Sequence, residues 1–165
     1  ISNTLSTVIE TSGPNNSRIT VNHSSIAGSS NDSNYMRFTY GGNLIGRIVQ
    51  ASTTTVSYTT SSDYRLKENV AGVTGASARV QQLNPVRFNF IADPDTTVDG
   101  FLAHEVQDVV PEAITGTKDA VDADGNPEYQ GIDQSKLVPL LTAALQEALT
   151  KIETLEARVA ALEAA

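Results

Sequence analysis

The sequence predicts an α+β chain of three successive segments: a Ser/Thr-rich β segment (1–62), a small mixed α+β body (63–132) and a coiled-coil helix (133–165). Three observations carry this reading. Residues 1–62 hold Ser or Thr at 23 positions and contain no Lys. The middle of the chain mixes a helix-prone stretch with period-two alternation of apolar side chains. The final stretch places apolar residues seven apart in two interleaved series.

Short β-prone stretches stand out in the first segment at Arg18–Val21, Tyr35–Tyr40 and Leu44–Val49. Gly41-Gly42-Asn43 lies between the last two, where a hairpin turn belongs. Strands rich in Ser and Thr and poor in bulky side chains suit a slender, intertwined shaft. The same polarity without strands would describe a flexible linker. The alternation from Tyr35 to Tyr40 favours strands.

In the body, Ala76 to Leu83 is helix-prone and meets a stop at Asn84-Pro85. Val86–Phe90 alternates as a half-buried strand should, and Asp93-Pro94-Asp95 reads as a turn or loop. Gly100–Ala103 is expected as a strand, and His104 to Val110 as a short helix halted by Pro111. Asp119 to Pro127 reads as a polar loop. Asp133 or Ser135 can then cap a helix running to the end of the chain. Val138, Leu145, Ile152 and Val159 take its a positions, and Leu141, Ala148, Leu155 and Leu162 its d positions. Lys151 and Arg158 fall at g, with Glu156 and Glu163 at the following e positions, placed for interchain pairing. Pro139 predicts a kink in the first turns. A lone helix would leave this apolar stripe in water, so self-association is expected. These heptads do not set the number of strands.

Composition narrows the function. The chain opens at Ile1 and its only methionine is Met36, so it is expected to begin inside a longer protein. With 5% aromatic residues and no Trp, a generous core is expected to need partner chains. The absence of Cys excludes disulfides, thiolate metal sites and a Cys nucleophile. Residues 1–62 carry a charge of +1 and residues 63–165 a charge of −9, with no basic stripe for nucleic acid. No apolar run is long enough for a bilayer, so the chain reads as soluble, without membrane or nucleic-acid partners. No cofactor or metal is expected. Asp122 to Asn126 has its Gly too early for a calcium loop and lacks the bidentate Glu, so it reads as a turn. Two His without Cys make zinc an unpromising ligand, and no phosphate-binding glycine loop is present.

Chemistry concentrates at the border of the first two segments, Ser61-Ser62-Asp63-Tyr64-Arg65-Leu66-Lys67. Lys67 is the first Lys in the chain and stands five residues after Ser62. A Ser and a Lys can form a dyad without His or Asp, the neutral amine taking the hydroxyl proton. Burial favours the neutral amine, because desolvation penalises the ammonium form. The plain alternative has Ser62 capping a turn and Lys67 solvated. His104-Glu105 could orient the junction or polarise a carbonyl; otherwise the pair caps or bridges to an Arg. Arg65 fits a carboxylate partner that holds the junction in place.

Four blocks stand in order behind the Ser/Thr-rich segment. They are Ser62–Val70, Leu83–Phe88, Gly100–Val106 with Val110–Ala113, and Ser135–Leu141. Together they resemble the intramolecular chaperone auto-processing domains of phage tail spikes and tail fibres, typified by endosialidase. The resemblance implies an intertwined homotrimer whose chaperone guides folding of the upstream shaft and then releases itself. Ser62 would be the nucleophile, Lys67 the general base and Ser62–Asp63 the bond cut. The fibre part would belong to the virion tail, with the chaperone made and released in the bacterial host cytoplasm. Attack by Ser62 on its own carbonyl would close a four-membered ring, whereas an N→O acyl shift would cut between Ser61 and Ser62. A cut after Ser62 therefore calls for water or another chain's Ser62. The rival class is a structural trimerisation or adhesion module in which Ser62 and Lys67 do no chemistry. A glycan-degrading site lacks paired carboxylates in a plausible groove and would lie upstream of Ile1.

Overall fold

The computed structural model describes residues 34–52 and 54–164. Arg18–Val21 lies outside them. The architecture is α+β with small antiparallel sheets and a long C-terminal helix. The described residues fall into two compact units that divide after Asn69.

The first unit is a three-stranded antiparallel sheet in the order β1 (Asn34–Tyr40), β2 (Asn43–Gln50) and β3 (Val56–Thr60). Tyr40 pairs with Asn43 across Gly41 and Gly42, whose φ values of 55° and 84° suit a two-residue turn with both central residues left-handed. The expected strands and turn are therefore present. β3 was not foreseen from the sequence, although its Val, Tyr and Thr residues suit a strand. The sheet buries little: Val49 is its one buried apolar side chain among the described residues, while Met36, Phe38, Val56 and Tyr58 stay exposed.

The second unit packs three helices and two hairpin-like pairs around a small core. The helices are α1 (Ala76–Val80), α2 (Ala103–Gln107) and α3 (Val138–Glu163). Ala76, Val106, Val110, Ala113, Leu137 and Leu140 are buried together, with Leu83, Phe101, Ile114 and Ile132 packed against them. Glu147 of α3 receives the backbone N–H groups of Ala76 at 2.9 Å and Ser77 at 2.8 Å. It thus caps α1 from a helix seventy residues away in sequence, since Gly75 has no side chain to do so. Arg79 ties α1 to the end of α2 by donating to the Val109 carbonyl at 2.8 Å.

Several expected boundaries shift for identifiable reasons. Strand β4 (Val86–Phe90) stands as expected, but Asp93-Pro94-Asp95 is not the turn. Those residues open β5 (Asp93–Gly100), and the chain reverses at Ile91-Ala92. The register slips between Asn89 and Phe90, and Asn89 donates to the Pro94 carbonyl at 2.9 Å, so Pro94 sits in a bulge that needs no N–H from it. Gly100–Ala103 is not a strand either: β5 ends at Gly100, and the Leu102 carbonyl receives the N–H groups of Glu105 and Val106 to start α2. Burial of Val106 and Val110, one helical turn apart, overrides the β-prone local residues. Helix α1 stops at Val80, short of Leu83, in a looser turn through Gln81 and Gln82.

Two short strands, β6 (Ile114–Thr115) and β7 (Gly131–Ile132), close the base of the expected polar loop over 119–127. Asp133 caps a 3₁₀ turn over Gln134–Leu137, its carboxylate accepting from Ser135, and α3 follows. Pro139 falls in the first turn of α3, where its missing N–H is not needed, and the helix runs on unbroken to Glu163. Leu140, Ala143, Ala144 and Glu147 hold the first half of α3 to the core, and every residue from Ala148 to Ala164 is exposed.

Candidate functional site: a Ser-Lys pair at the junction

β3 ends at Thr60, and the next residues carry the candidate dyad. Asp63 has extended backbone angles and caps a 3₁₀ turn over Tyr64–Leu66. Its Oδ1 accepts the Arg65 N–H at 2.9 Å, and the guanidinium grips both carboxylate oxygens at 2.9 and 2.8 Å. The turn is closed by Leu66 N–H to the Asp63 carbonyl and Lys67 N–H to the Tyr64 carbonyl. A 3₁₀ turn advances only about 2 Å per residue, so five positions of sequence fold back into one short loop. Lys67 Nζ thereby lies 2.9 Å from Ser62 Oγ.

The electrostatics follow from these contacts. The Arg65 guanidinium, then its N–H, hold the Asp63 carboxyl below the usual range, with Lys67 adding a smaller pull. Asp63 in turn raises Arg65. Both side chains are well exposed, so the pair acts by fork geometry more than by charge. Ser62 and Lys67 are exposed as well. Ser61 and Ser62 border an open depression of about 190 Å³ floored by β2 and β3.

The structure thus brings together Ser62, Lys67, Asp63 and Arg65, all within the first unit. His104 and Glu105 belong to α2 in the second unit. The Glu105 partner is the Asn84 amide at 3.0 Å rather than an Arg. His104 borders a cleft of about 310 Å³ with Lys118, Asp119, Glu128 and Tyr129. Asp122 spends its carboxylate on the N–H groups of Asp124 and Asn126 and on the Asn126 amide, which makes the loop a turn. Among the described residues no three His, Asp or Glu side chains converge as a metal site. Nor is any helix among them long and apolar enough to cross a membrane.

A β segment ends in a Ser-Lys pair and a mixed α+β body follows. On comparison with known families, residues 62–115 match the family Peptidase_S74, described as chaperone of endosialidase. Over these residues the chain is similar to the chaperone domains of this family, as its sequence blocks suggested. The match opens on Ser62 itself. It spans the first three of the four blocks, and Ser135–Leu141 lies beyond it. No curated protein matches the chain.

Proposed function

We propose that this chain is the C-terminal end of a trimeric phage tail fibre or spike, carrying an intramolecular chaperone that removes itself by Ser-Lys autoproteolysis at Ser62–Asp63. The observation that carries the reading is the 2.9 Å contact between Lys67 Nζ and Ser62 Oγ at the first residue of the family match. As an ammonium, Nζ donates to Oγ. As a neutral amine, it takes the hydroxyl proton along the same line.

In the cut, Oγ attacks a carbonyl carbon while Lys67 receives its proton. The C–N bond then breaks, Lys67 returns the proton to the departing nitrogen, and water hydrolyses the ester to a carboxylate and a restored hydroxyl. Ring strain keeps Ser62 from its own carbonyl, so a cut after Ser62 uses the Ser62 hydroxyl of another chain or a water activated by the dyad. Lys67 is exposed in the single chain. Packing of three chains around the junction would desolvate it and favour the neutral amine, so the reaction would wait for assembly. Severing the chaperone after the shaft has interlocked removes the refolding path and traps the fibre kinetically.

Intact-mass spectrometry of the fresh protein beside Ser62→Ala and Lys67→Ala tests the reading. Two fragments split at Ser62–Asp63 are expected for the wild type. Loss of the general base should slow cutting by about 10²-fold or more. A split at Ser61–Ser62 would instead assign the acyl-shift route. A wild type that stays whole would leave a trimerisation module without chemistry.

A further inference from the structure

We propose that Ser61 is a positioning residue that makes cleavage depend on completed pairing of β2 with β3; the inference rests on the proteolytic reading above. The backbone ladder between these strands runs from Gln50–Val56 to Gly46–Thr60. One residue further, the connection changes kind. Ser61 Oγ donates to the carbonyl of Leu44 at 3.0 Å, across seventeen positions of sequence. Leu44 itself is paired to Thr39 of β1, so the tie reaches the central strand of the sheet.

This tie fixes one side of the nucleophile, and the capped turn fixes the other. Asp63 and Arg65 lock the turn that carries Lys67, leaving Ser62 as the single residue between two anchored points. Its Oγ lies 2.9 Å from Lys67 Nζ under both constraints. The depression beside it is floored by Gly46 of β2 with Thr59 and Thr60 of β3, which meet only when the two strands are paired. A chain whose third strand has not docked keeps Ser62 and Lys67 close in sequence but leaves the acyl side of the bond free to swing. Small displacements of reacting groups are expensive in rate. Cutting therefore reports that the sheet ahead of the junction has formed.

The test follows fragment formation by mass spectrometry after the full chain is refolded from denaturant, in wild type, Ser61→Thr, Ser61→Val and Ser61→Ala. Thr keeps the hydroxyl, and Val matches the shape of Thr without it. Loss of one such hydrogen bond should slow first-order cutting by about fivefold or more in Val and Ala, with Thr within about twofold of wild type. The pH midpoint of cutting should not move, because neither dyad residue changes. Folded fraction and Tm are measured in parallel on the same substitutions combined with Ser62→Ala, which cannot cut. Slowing that is fully accounted for by lost folded protein would make Ser61 merely structural and overturn the proposal. So would equal rates in Thr and Val. A wild type that never cuts sinks the proteolytic reading and this one together, whereas a cutting wild type with unaffected Val and Ala variants sinks this one alone.

Discussion

Between Ser62 and Lys67 the chain does most of its local work with one carboxylate. Asp63 caps the 3₁₀ turn through the Arg65 N–H and holds the Arg65 side chain in a two-pronged grip. The Ser-Lys spacing was visible in the sequence, and a carboxylate partner for Arg65 was expected there. That Asp63 supplies it was not, although an acid two positions before an Arg is a usable turn signal. Replacing Arg65 with Ala should slow cutting by about two- to fivefold, and Lys should restore only part, because a single ammonium cannot match the fork. The same substitution should move the Asp63 carboxyl up towards the ordinary range, read by NMR titration in the Ser62→Ala protein, while the backbone N–H of residue 65 and Lys67 still hold it down. Asp63 is depressed in the folded chain, so its clamp is present above the ordinary carboxylate pKa and lost as pH falls through the lowered value.

At the scale of elements, long-range polar contacts replace local caps. Helix α1 is five residues long and is preceded by Gly75, with φ of 66°. So short a helix is not stable alone, and it depends on Glu147 of α3. The Ser77 hydroxyl and the N–H groups of Ser77 and Ala76 hold the Glu147 carboxyl below its usual range. Glu147→Gln should lower Tm by a few degrees at neutral pH. The gap should close on acidification, because a depressed carboxyl stabilises above its unfolded pKa and loses that contribution as pH falls through the folded one. A gap that persists at strongly acid pH would show that the amide shape, not the charge, is what α1 needs. The misplaced strand at Gly100–Ala103 belongs to this scale too. Its residues are β-prone locally, but α2 is what brings Val106 into the core, and the Val110 N–H bonded to the Val106 carbonyl sets Val110 there beside Ala113.

For the molecule as a whole, the unresolved demand is the apolar stripe of α3. Leu145 is 61% exposed and Ile152 50% exposed, on a helix about 39 Å long by its 26 residues. Burying each such side chain between chains contributes about 1.5–3 kcal/mol, enough in sum to drive association. Ile152→Asp should abolish the proposed trimer in sedimentation equilibrium and, if assembly desolvates Lys67, suppress cutting as well. A monomeric variant that still cuts at the wild-type rate would break the coupling between assembly and proteolysis.

Strands β1, β2 and β4, the hairpin at Gly41-Gly42, the long helix and the Ser-Lys spacing were legible in the residues alone. These rest on period, turn chemistry and spacing, which are local properties of a chain. Folding, by contrast, set the Glu147 cap on α1, the tie of Ser61 to Leu44, the bulge at Pro94 and the place of Pro139 in the first turn of α3. The tie to Leu44 and the cap on α1 depend on backbone groups brought close by folding. A backbone carbonyl or N–H carries no mark in the residue letters, so neither contact could be read before the chain was folded.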